Sequence, residues 1–308
     1  MRVRRAVALL GFSALLLGTV VSAQAVVEII PQSALIPSTG YYTDQIGGGI
    51  GAVVVPNGGG NAANVGNATG RNDDGFQQNI SLGFSLPFFG NTYTLFSANN
   101  NGNITLGSNA GLAAFTPAGP QGATQPIISP FFADVDTRGA LSGVMHLRTD
   151  IANEIIVTWD NVGYFDSHGD KLNAFQLVVR GPGFAVPAGE GNIGFFYKNM
   201  QWETGDASGG VGGFNDPNDP TATAAAVGFG DGQSNGKVLQ GSLNPGIAAV
   251  VQNHHIWFDL QLAVIPPPDG GNPPPVTTVP EPTTLALIGS GLVGLAVRRY
   301  RLPKSSGV

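Results

Sequence analysis

Short segments in which apolar and polar residues alternate run through the middle of the chain. In the first of them Ile80, Leu82, Phe84 and Leu86 are separated by serine and glycine. A period of two residues places such apolar side chains on one face of a β-strand. Similar alternation, or short β-branched and aromatic runs, occurs at residues 144–148, 154–159, 175–180, 193–197 and 256–262. The pattern therefore predicts a series of short strands.

Clusters of glycine, asparagine, aspartate and proline separate these segments, at residues 99–103, 166–170, 181–191 and 205–220. No part of the middle region keeps the apolar period of 3.6 residues that a helix would need. We therefore predict an all-β fold, a single β-sandwich-like domain. We place this domain at residues 79–265 and interpret residues 26–78, which contain two glycine triplets, as a Gly-rich N-terminal extension.

The first 25 residues have the features of a secretory signal peptide. Three arginines precede an apolar stretch at residues 6–21, and Ala23 and Ala25 then form a small-residue cleavage site. We predict that signal peptidase removes residues 1–25, with an uncleaved anchor helix as the alternative. The domain that follows is then expected to be exported.

The C-terminal end has a different organisation. In order it contains a Pro-rich linker at 266–279, the triplet Pro280-Glu281-Pro282, an apolar segment at 283–297, and Arg298 with Arg299. A helix over the apolar segment would be about 22 Å long, shorter than the ~30 Å hydrocarbon core of a bilayer. We predict a short transmembrane helix that inserts transiently with its arginines in the cytoplasm. An ordinary tail anchor is the alternative.

The triplet, the short apolar helix and the terminal arginines resemble, in this order, the PEP-CTERM sorting signal. That signal occurs in Gram-negative bacteria that make exopolysaccharide. The resemblance covers residues 280–308 and implies that an exosortase, a transpeptidase-like membrane protease, removes the tail near the triplet. The residues expected to be recognised are Pro280, Glu281, Pro282, Arg298 and Arg299. An inner-membrane intermediate followed by the cell surface or extracellular matrix is therefore expected.

Six segments of the middle region resemble, in order, the nidogen-like (NIDO) domain of extracellular matrix and adhesion proteins. Among them are the turn Asn101-Gly102-Asn103-Ile104 and the segment around Asp134-Val-Asp136-Thr137. The resemblance covers about residues 80–232 and implies an adhesion or matrix role, with an extracellular polysaccharide or matrix protein as the partner. It carries over no catalytic or ligand-binding residues, and the Cys-rich modules that flank this domain in animal proteins are absent from this sequence.

Composition excludes several kinds of partner and chemistry. The formal net charge is −6, and no cluster of lysine and arginine lies outside the two ends, so we do not expect a nucleic-acid partner. The chain contains no cysteine, which excludes disulfides, thiolate zinc sites and a cysteine nucleophile.

Asp134 and Asp136 form one pair of candidate metal ligands. They are two residues apart, so in a strand they would share a face, where Ca²⁺ could bind them with Asp160 or loop carbonyls. The alternative is that one caps a turn and the other pairs with Arg138. We favour it, because carboxylates are few and the calcium-loop pattern with a distal glutamate is absent. We therefore predict no metal and no cofactor, with these two aspartates as the calcium candidates.

The remaining candidate sites favour structural roles. An acidic loop region at residues 215–231 is rich in Asx residues, which form turns. Ser234 lies in a Gly-x-Ser-x-Gly match, but an all-β pattern lacks the strand–turn–helix that a nucleophile elbow needs. His168 has no recognisable catalytic spacing.

Three tryptophans could stack on sugar rings if they were exposed. We expect Trp159 and Trp202 to pack in the core and leave the position of Trp257 open. We predict a protein without enzymatic activity that has an adhesive or structural role in the exopolysaccharide layer. The alternative is a secreted protein that binds or modifies polysaccharide, which would show a cleft with convergent carboxylates.

Overall fold

The computed structural model describes residues 26–233 and 235–259. The predicted signal peptide (1–25), linker (266–279) and sorting signal (280–308), with its helix at 283–297, lie outside the described residues. Within the described ranges, no helix is both long and apolar enough to cross a membrane.

Strands dominate the described part of the chain, and the helices are short. In chain order the elements are β1 (Val27–Ile30), β2 (Ile36–Pro37), α1 (Tyr42–Ile46), β3 (Ala52–Val53), β4 (Gly58–Gly59), β5 (Gly75–Phe88), β6 (Asn91–Asn99), β7 (Asn103–Leu106), β8 (Ile127–Phe132), β9 (Met145–Arg148), β10 (Glu154–Tyr164), β11 (His168–Arg180), β12 (Ile193–Met200), β13 (Gly210–Val211), β14 (Phe214–Asn215), β15 (Ala226–Gly230), β16 (Gly236–Leu239), α2 (Ile247–Val251) and β17 (His254–Phe258). Single 3₁₀ turns lie at Gln32–Ala34, Ala62–Asn64, Pro120–Gly122 and Asp206–Ser208.

The strands form two large sheets and one hairpin. The first sheet has the order β1-β16-β15-β8-β7-β6-β5-β4, and the second has the order β2-β17-β12-β11-β10-β9-β3. Neighbours in both sheets are antiparallel, apart from the parallel pair of β1 and β16. Strands β13 and β14 pair with each other. The predicted all-β, sandwich-like fold is confirmed.

The core lies between the inner faces of the two sheets. Phe131 of the first sheet and Phe175 of the second have ring centroids 5.6 Å apart, and Trp159 stacks on Phe175 at 5.1 Å. The rings of Phe131 and Trp202 meet edge to face at 6.2 Å. Trp159 and Trp202 are both fully buried, as the sequence suggested. Large aromatic rings therefore supply much of the apolar area that the sandwich buries.

The outer face of the second sheet is also covered. Ile156, Val178 and Phe196 point away from the main core and form a smaller cluster with Tyr42 of α1. Strands β10 and β11 therefore bury both faces along most of their length. This explains why the apolar residues Ile155, Ile156 and Val157 of β10 are consecutive and do not alternate with polar residues.

The structure differs from our prediction that residues 26–78 form an extension. Its strands β1 and β4 form the two edges of the first sheet, and β2 and β3 form the two edges of the second. These strands have two to four residues, too few for an alternating pattern to be seen in the sequence. Short edge strands that limit further pairing are a common feature of native sheets. The N-terminal segment is thus part of the β domain.

Candidate metal centre

Asp134 and Asp136 follow β8, and both side chains are buried, but their partners differ. The carboxylate of Asp136 accepts the backbone N–H of Arg138 at 2.8 Å and its side-chain Nε at 3.0 Å. It also accepts the backbone N–H of Ser167 at 2.8 Å. Asp136 therefore has the turn and arginine partners that we favoured for these aspartates, and its oxygens are saturated.

Asp134 belongs to a different group, with Asp73 and Asp74. One carboxylate oxygen from each of these three residues lies within 4.8 Å of the other two. Asp73 and Asp74 precede β5, and a bridge between Asp73 and Asp136 brings the two segments together. We name these three residues the aspartate triad.

The turn between β6 and β7 holds both segments in place. Asn101 donates from Nδ2 to Asp74 Oδ1 at 2.6 Å, and its Oδ1 accepts the backbone N–H of Val135 at 2.8 Å. Gly102 has a φ of 73°, and a Cβ there would overlap the carbonyl oxygen of Phe131. The Asn-Gly pair of the motif therefore has a structural reason: asparagine joins the two acidic segments, and only glycine fits beside β8.

Two oxygens of the triad are buried without a hydrogen-bond partner. They are Oδ2 of Asp134, whose residue is 1% exposed, and Oδ1 of Asp73. A Cβ at Gly205 would lie 2.5 Å from Asp134 Oδ2, so a residue with a side chain would displace the carboxylate. Buried polar atoms nearly always have a hydrogen-bond partner, so two unpaired oxygens in one cluster require an explanation.

The environment raises the pKa of all three carboxyls. Burial, followed by the charges of Asp74 and Asp73, raises the pKa of Asp134 to about 8. Burial and the charge of Asp136 raise the pKa of Asp73 to about 7, although Arg138 lies 3.0 Å from Asp73 Oδ2 and opposes the shift. Burial also raises the pKa of Asp74. The triad therefore favours whatever neutralises its charge, a proton or a cation.

The other acidic candidates do not join the triad. Asp160 accepts the hydroxyl of Tyr41 at 2.8 Å. In the acidic loop region, carboxylates accept backbone N–H groups two residues ahead, as in Asx turns. These pairs are Asp216 with Asn218 at 2.8 Å, Asp219 with Thr221 at 2.8 Å, and Asp231 with Gln233 at 2.6 Å.

The nucleophile and histidine candidates have structural surroundings. Ser234 lies outside the described residues, and the segment after it forms the strand β16 where a nucleophile elbow would require a helix. His168 places Nε2 at 2.9 Å from Asp206 Oδ2, and its ring stacks on Tyr164.

Trp257, whose position the sequence left open, lies on the outer face of the second sheet. Its ring meets Tyr42 edge to face at 5.7 Å and lies 4.2 Å from the guanidinium carbon of Arg180. The residue is half-buried. Its ring is therefore engaged in packing and does not form an open platform for a sugar.

Similarity to known proteins identifies the family. Residues 55–229, more than half of the chain, match the NIDO-related family. The chain belongs to the NIDO-related family. The match begins well before residue 79, in agreement with the edge strands, and it places Asp73 and Asp74 inside the NIDO-related domain.

Curated relatives of this NIDO-related chain include alpha-tectorin from three vertebrates. Alpha-tectorin of Gallus gallus is 28% identical over 218 residues, which cover 60% of this chain and 9% of that protein. Alpha-tectorin of Mus musculus is 29% identical over 165 residues, which cover 45% of this chain and 7% of that protein. The chain thus matches less than a tenth of the length of these relatives. No solved structure matches the chain.

The C-terminal segment has a match of its own. Residues 278–301 match the PEP-CTERM protein-sorting motif, as the order of triplet, apolar segment and arginines predicted. The motif implies processing by an exosortase. With the NIDO-related domain, it identifies an exported protein of the cell surface or extracellular space.

Sequence reasoning missed Asp73 and Asp74 because it assigned them to an extension. Their place beside Asp134 depends on a contact between segments about 60 residues apart, which no local pattern encodes. The signal available was the adjacent acidic pair immediately before the first predicted strand.

Proposed function

We propose that this protein has an adhesive or structural role in the extracellular exopolysaccharide layer and binds polysaccharide or a matrix protein without changing it chemically. The observation that carries the proposal is the joining, in one chain, of a NIDO-related domain and a PEP-CTERM motif. The sandwich supports a binding role because its short edge strands and long connections present many loops, which commonly carry recognition on rigid β folds.

The described surface offers few aromatic contact groups. Among the described residues, Phe115 and Phe214 are the aromatic residues that are more than a third exposed, at 37% and 45%. The loop of Phe115 lies next to the segment that leads into the β13–β14 hairpin of Phe214, because Ser208, shortly before β13, donates to the carbonyl oxygen of Phe115 at 3.4 Å. Exposed aromatic rings suit stacking on sugar rings, so we expect polysaccharide to contact this loop and hairpin.

We expect the full chain to bind exopolysaccharide from the producing bacterium in a saturable manner, measured by co-sedimentation with dextran as the control polymer. The double variant Phe115→Ser/Phe214→Ser should reduce the bound fraction severalfold, because it removes both rings. Leu141→Ser, which changes a 73% exposed apolar residue elsewhere, should bind like the unchanged chain.

Two results would contradict the proposal. One is the absence of binding to both exopolysaccharide and matrix proteins. The other is the release of new reducing ends from the polysaccharide during incubation, which would favour the polysaccharide-modifying alternative.

Processing can be tested separately with a variant of the sorting motif. We expect Glu281→Ala to retain the C-terminal arginines in the cell, because the central residue of the recognised triplet is lost. Asp269→Ala, which also replaces an acidic residue with alanine but lies outside the matched motif, should be processed normally. Intact-mass measurement of membrane and surface fractions shows whether each variant keeps or loses its C-terminal tail. Removal of the tail from the Glu281→Ala chain would contradict recognition of the triplet.

A further inference from the structure

Among the described residues, a single arginine pairs with the aspartate triad, and within the triad it contacts only Asp73. Nη2 of Arg138 lies 3.0 Å from Asp73 Oδ2, 2.5 Å from Asp136 Oδ2 and 3.1 Å from Asp166 Oδ1. In the part of the chain that the structure describes, no ion pair reaches Asp74 or Asp134. A buried carboxylate without a positive partner is strongly unfavourable in its ionised form. If all three carboxylates of the triad are ionised, they therefore need a further positive charge.

The ligand atoms of the triad indicate the class of ion. All three are carboxylate oxygens, and hard cations such as Ca²⁺ and Mg²⁺ prefer oxygen ligands. Each pair of these oxygens lies within 4.8 Å, which is the span of two opposite ligands of one calcium ion with Ca²⁺–oxygen distances of about 2.4 Å. Mg²⁺ requires about 2.1 Å and a nearly ideal octahedron and usually keeps several waters, whereas Ca²⁺ accepts an irregular shell of protein oxygens, so three carboxylates from two segments suit calcium better.

The surrounding residues hold these oxygens ready for an ion. Asn101 fixes Asp74 through a 2.6 Å hydrogen bond, and Gly205 packs against the carboxylate of Asp134. The orphaned Oδ2 of Asp134 is fully enclosed by protein, whereas Asp73 and Asp74 are only half-buried. An ion can therefore enter past Asp73 and Asp74 and complete its shell of six to eight ligands with water or backbone carbonyls.

We propose that the aspartate triad is a calcium site, in which Asp73, Asp74 and Asp134 bind one Ca²⁺ that joins the segment before β5 to the segment after β8. Burial raises the pKa of these carboxyls, so a bound cation would stabilise their ionised form. Extracellular calcium modules have dissociation constants of about 10⁻⁴–10⁻³ M, and we expect this site to lie in that range. Because the ion binds the folded chain, calcium should raise the melting temperature.

The test uses the purified full chain after treatment with a chelator. Calcium titration by calorimetry should show one ion per chain, and thermal unfolding should shift upward with calcium. Asp134→Asn should weaken calcium binding by at least about tenfold, since it removes the most buried anionic ligand. The matched control is Asp216→Asn, an identical substitution at an Asx turn, which should bind calcium normally.

A second variant covers the case in which Asp134→Asn fails to fold. Asp74→Asn removes one charge at a half-buried position with a φ of 59°, a left-handed conformation that asparagine adopts readily. It keeps the oxygen that accepts from Asn101, so its fold should be preserved while its calcium affinity falls in the same way.

Three outcomes would overturn the proposal. The first is no saturable calcium binding to the unchanged chain at about 10 mM, well above the expected range, which would mean that protons alone neutralise the triad. The second is calcium binding that neither Asp134→Asn nor Asp74→Asn weakens, which would place the ion elsewhere. The third is Mg²⁺ binding as tight as calcium binding, which would contradict the identity of the ion.

Discussion

Replacing Arg180 with methionine is expected to lower the free energy of unfolding by about 3–5 kcal/mol, because it leaves a buried carboxylate without its positive partner. The side chains of Arg180 and Glu154 are both fully buried, and Arg180 Nε lies 2.7 Å from Glu154 Oε2. Methionine retains much of the apolar stem of arginine, so the expected loss comes mainly from the charge and its hydrogen bonds.

The other contacts of Arg180 show why the loss should be large. Its guanidinium donates to the hydroxyl of Tyr42 at 2.7 Å and to the carbonyl oxygen of Gly191 at 3.1 Å, and it pairs with Glu190 at 2.7 Å. The ring of Trp257 lies 4.2 Å from its central carbon. Since Tyr42 belongs to α1, this cluster fastens the N-terminal segment to the outer face of the second sheet.

The expected loss of unfolding free energy depends on pH, and the direction of this dependence follows from the pKa of Glu154. Burial raises the pKa of Glu154 above 4.5 even though Arg180 opposes the shift. Without Arg180 the folded-state pKa rises further, so the folded variant keeps a proton that the unfolded chain has released. The penalty therefore grows as pH rises above about 4.5 and should be smaller at pH 5 than at pH 8.

Urea unfolding at both pH values measures the effect. Lys198→Met is the matched control, because Lys198 pairs with Asp44 at 3.5 Å with both side chains about half exposed, and such pairs contribute about 0–1 kcal/mol. The double variant Arg180→Met/Glu154→Leu should recover most of the loss, because no unpaired glutamate remains at position 154. Equal urea midpoints for Arg180→Met and Lys198→Met would contradict this account.

The sequence predicted the strands that lie at the centre of the second sheet. Segments at 154–159, 175–180 and 193–197 became β10, β11 and β12, because β-branched and aromatic runs there bury both faces of a sheet. The strands at the edges could not be predicted. A two-residue strand such as Gly58–Gly59 is defined by its backbone pairing with β5, not by its own side chains.

The acidic site shows the same limit at the level of side chains. The sequence singled out Asp134 and Asp136 because they are two residues apart, but their roles depend on distant neighbours. Arg138 saturates Asp136, whereas Asp134 meets Asp73 and Asp74 through the bridge before β5. Spacing along the chain therefore identified Asp134, whereas Asp73 and Asp74 could be identified only from the three-dimensional structure.

A chain that starts at residue 79 is expected not to fold cooperatively, although the alternating pattern starts there. It lacks β1 to β4, α1 and the first four residues of β5. It also lacks the buried side chains of Ile30, Tyr41, Tyr42 and Val54, which are 6%, 3%, 5% and 1% exposed. At about 1.5–3 kcal/mol for each buried large side chain, these four contribute about 6–12 kcal/mol, comparable to the 5–15 kcal/mol net stability of a typical domain.

Thermal unfolding followed by near-ultraviolet circular dichroism compares chains that start at residues 26, 55 and 79. The chain from residue 26 should unfold in one cooperative step. The chain from residue 55 keeps β4 and the aspartate triad but loses the contact between Tyr42 and Arg180, so it should melt at a lower temperature. A cooperative transition of the chain from residue 79, within a few degrees of the longest chain, would show that residues 26–78 are a dispensable extension. We expect the opposite result, because residues 26–78 supply the edge strands of both sheets and the contact of Tyr42 with Arg180.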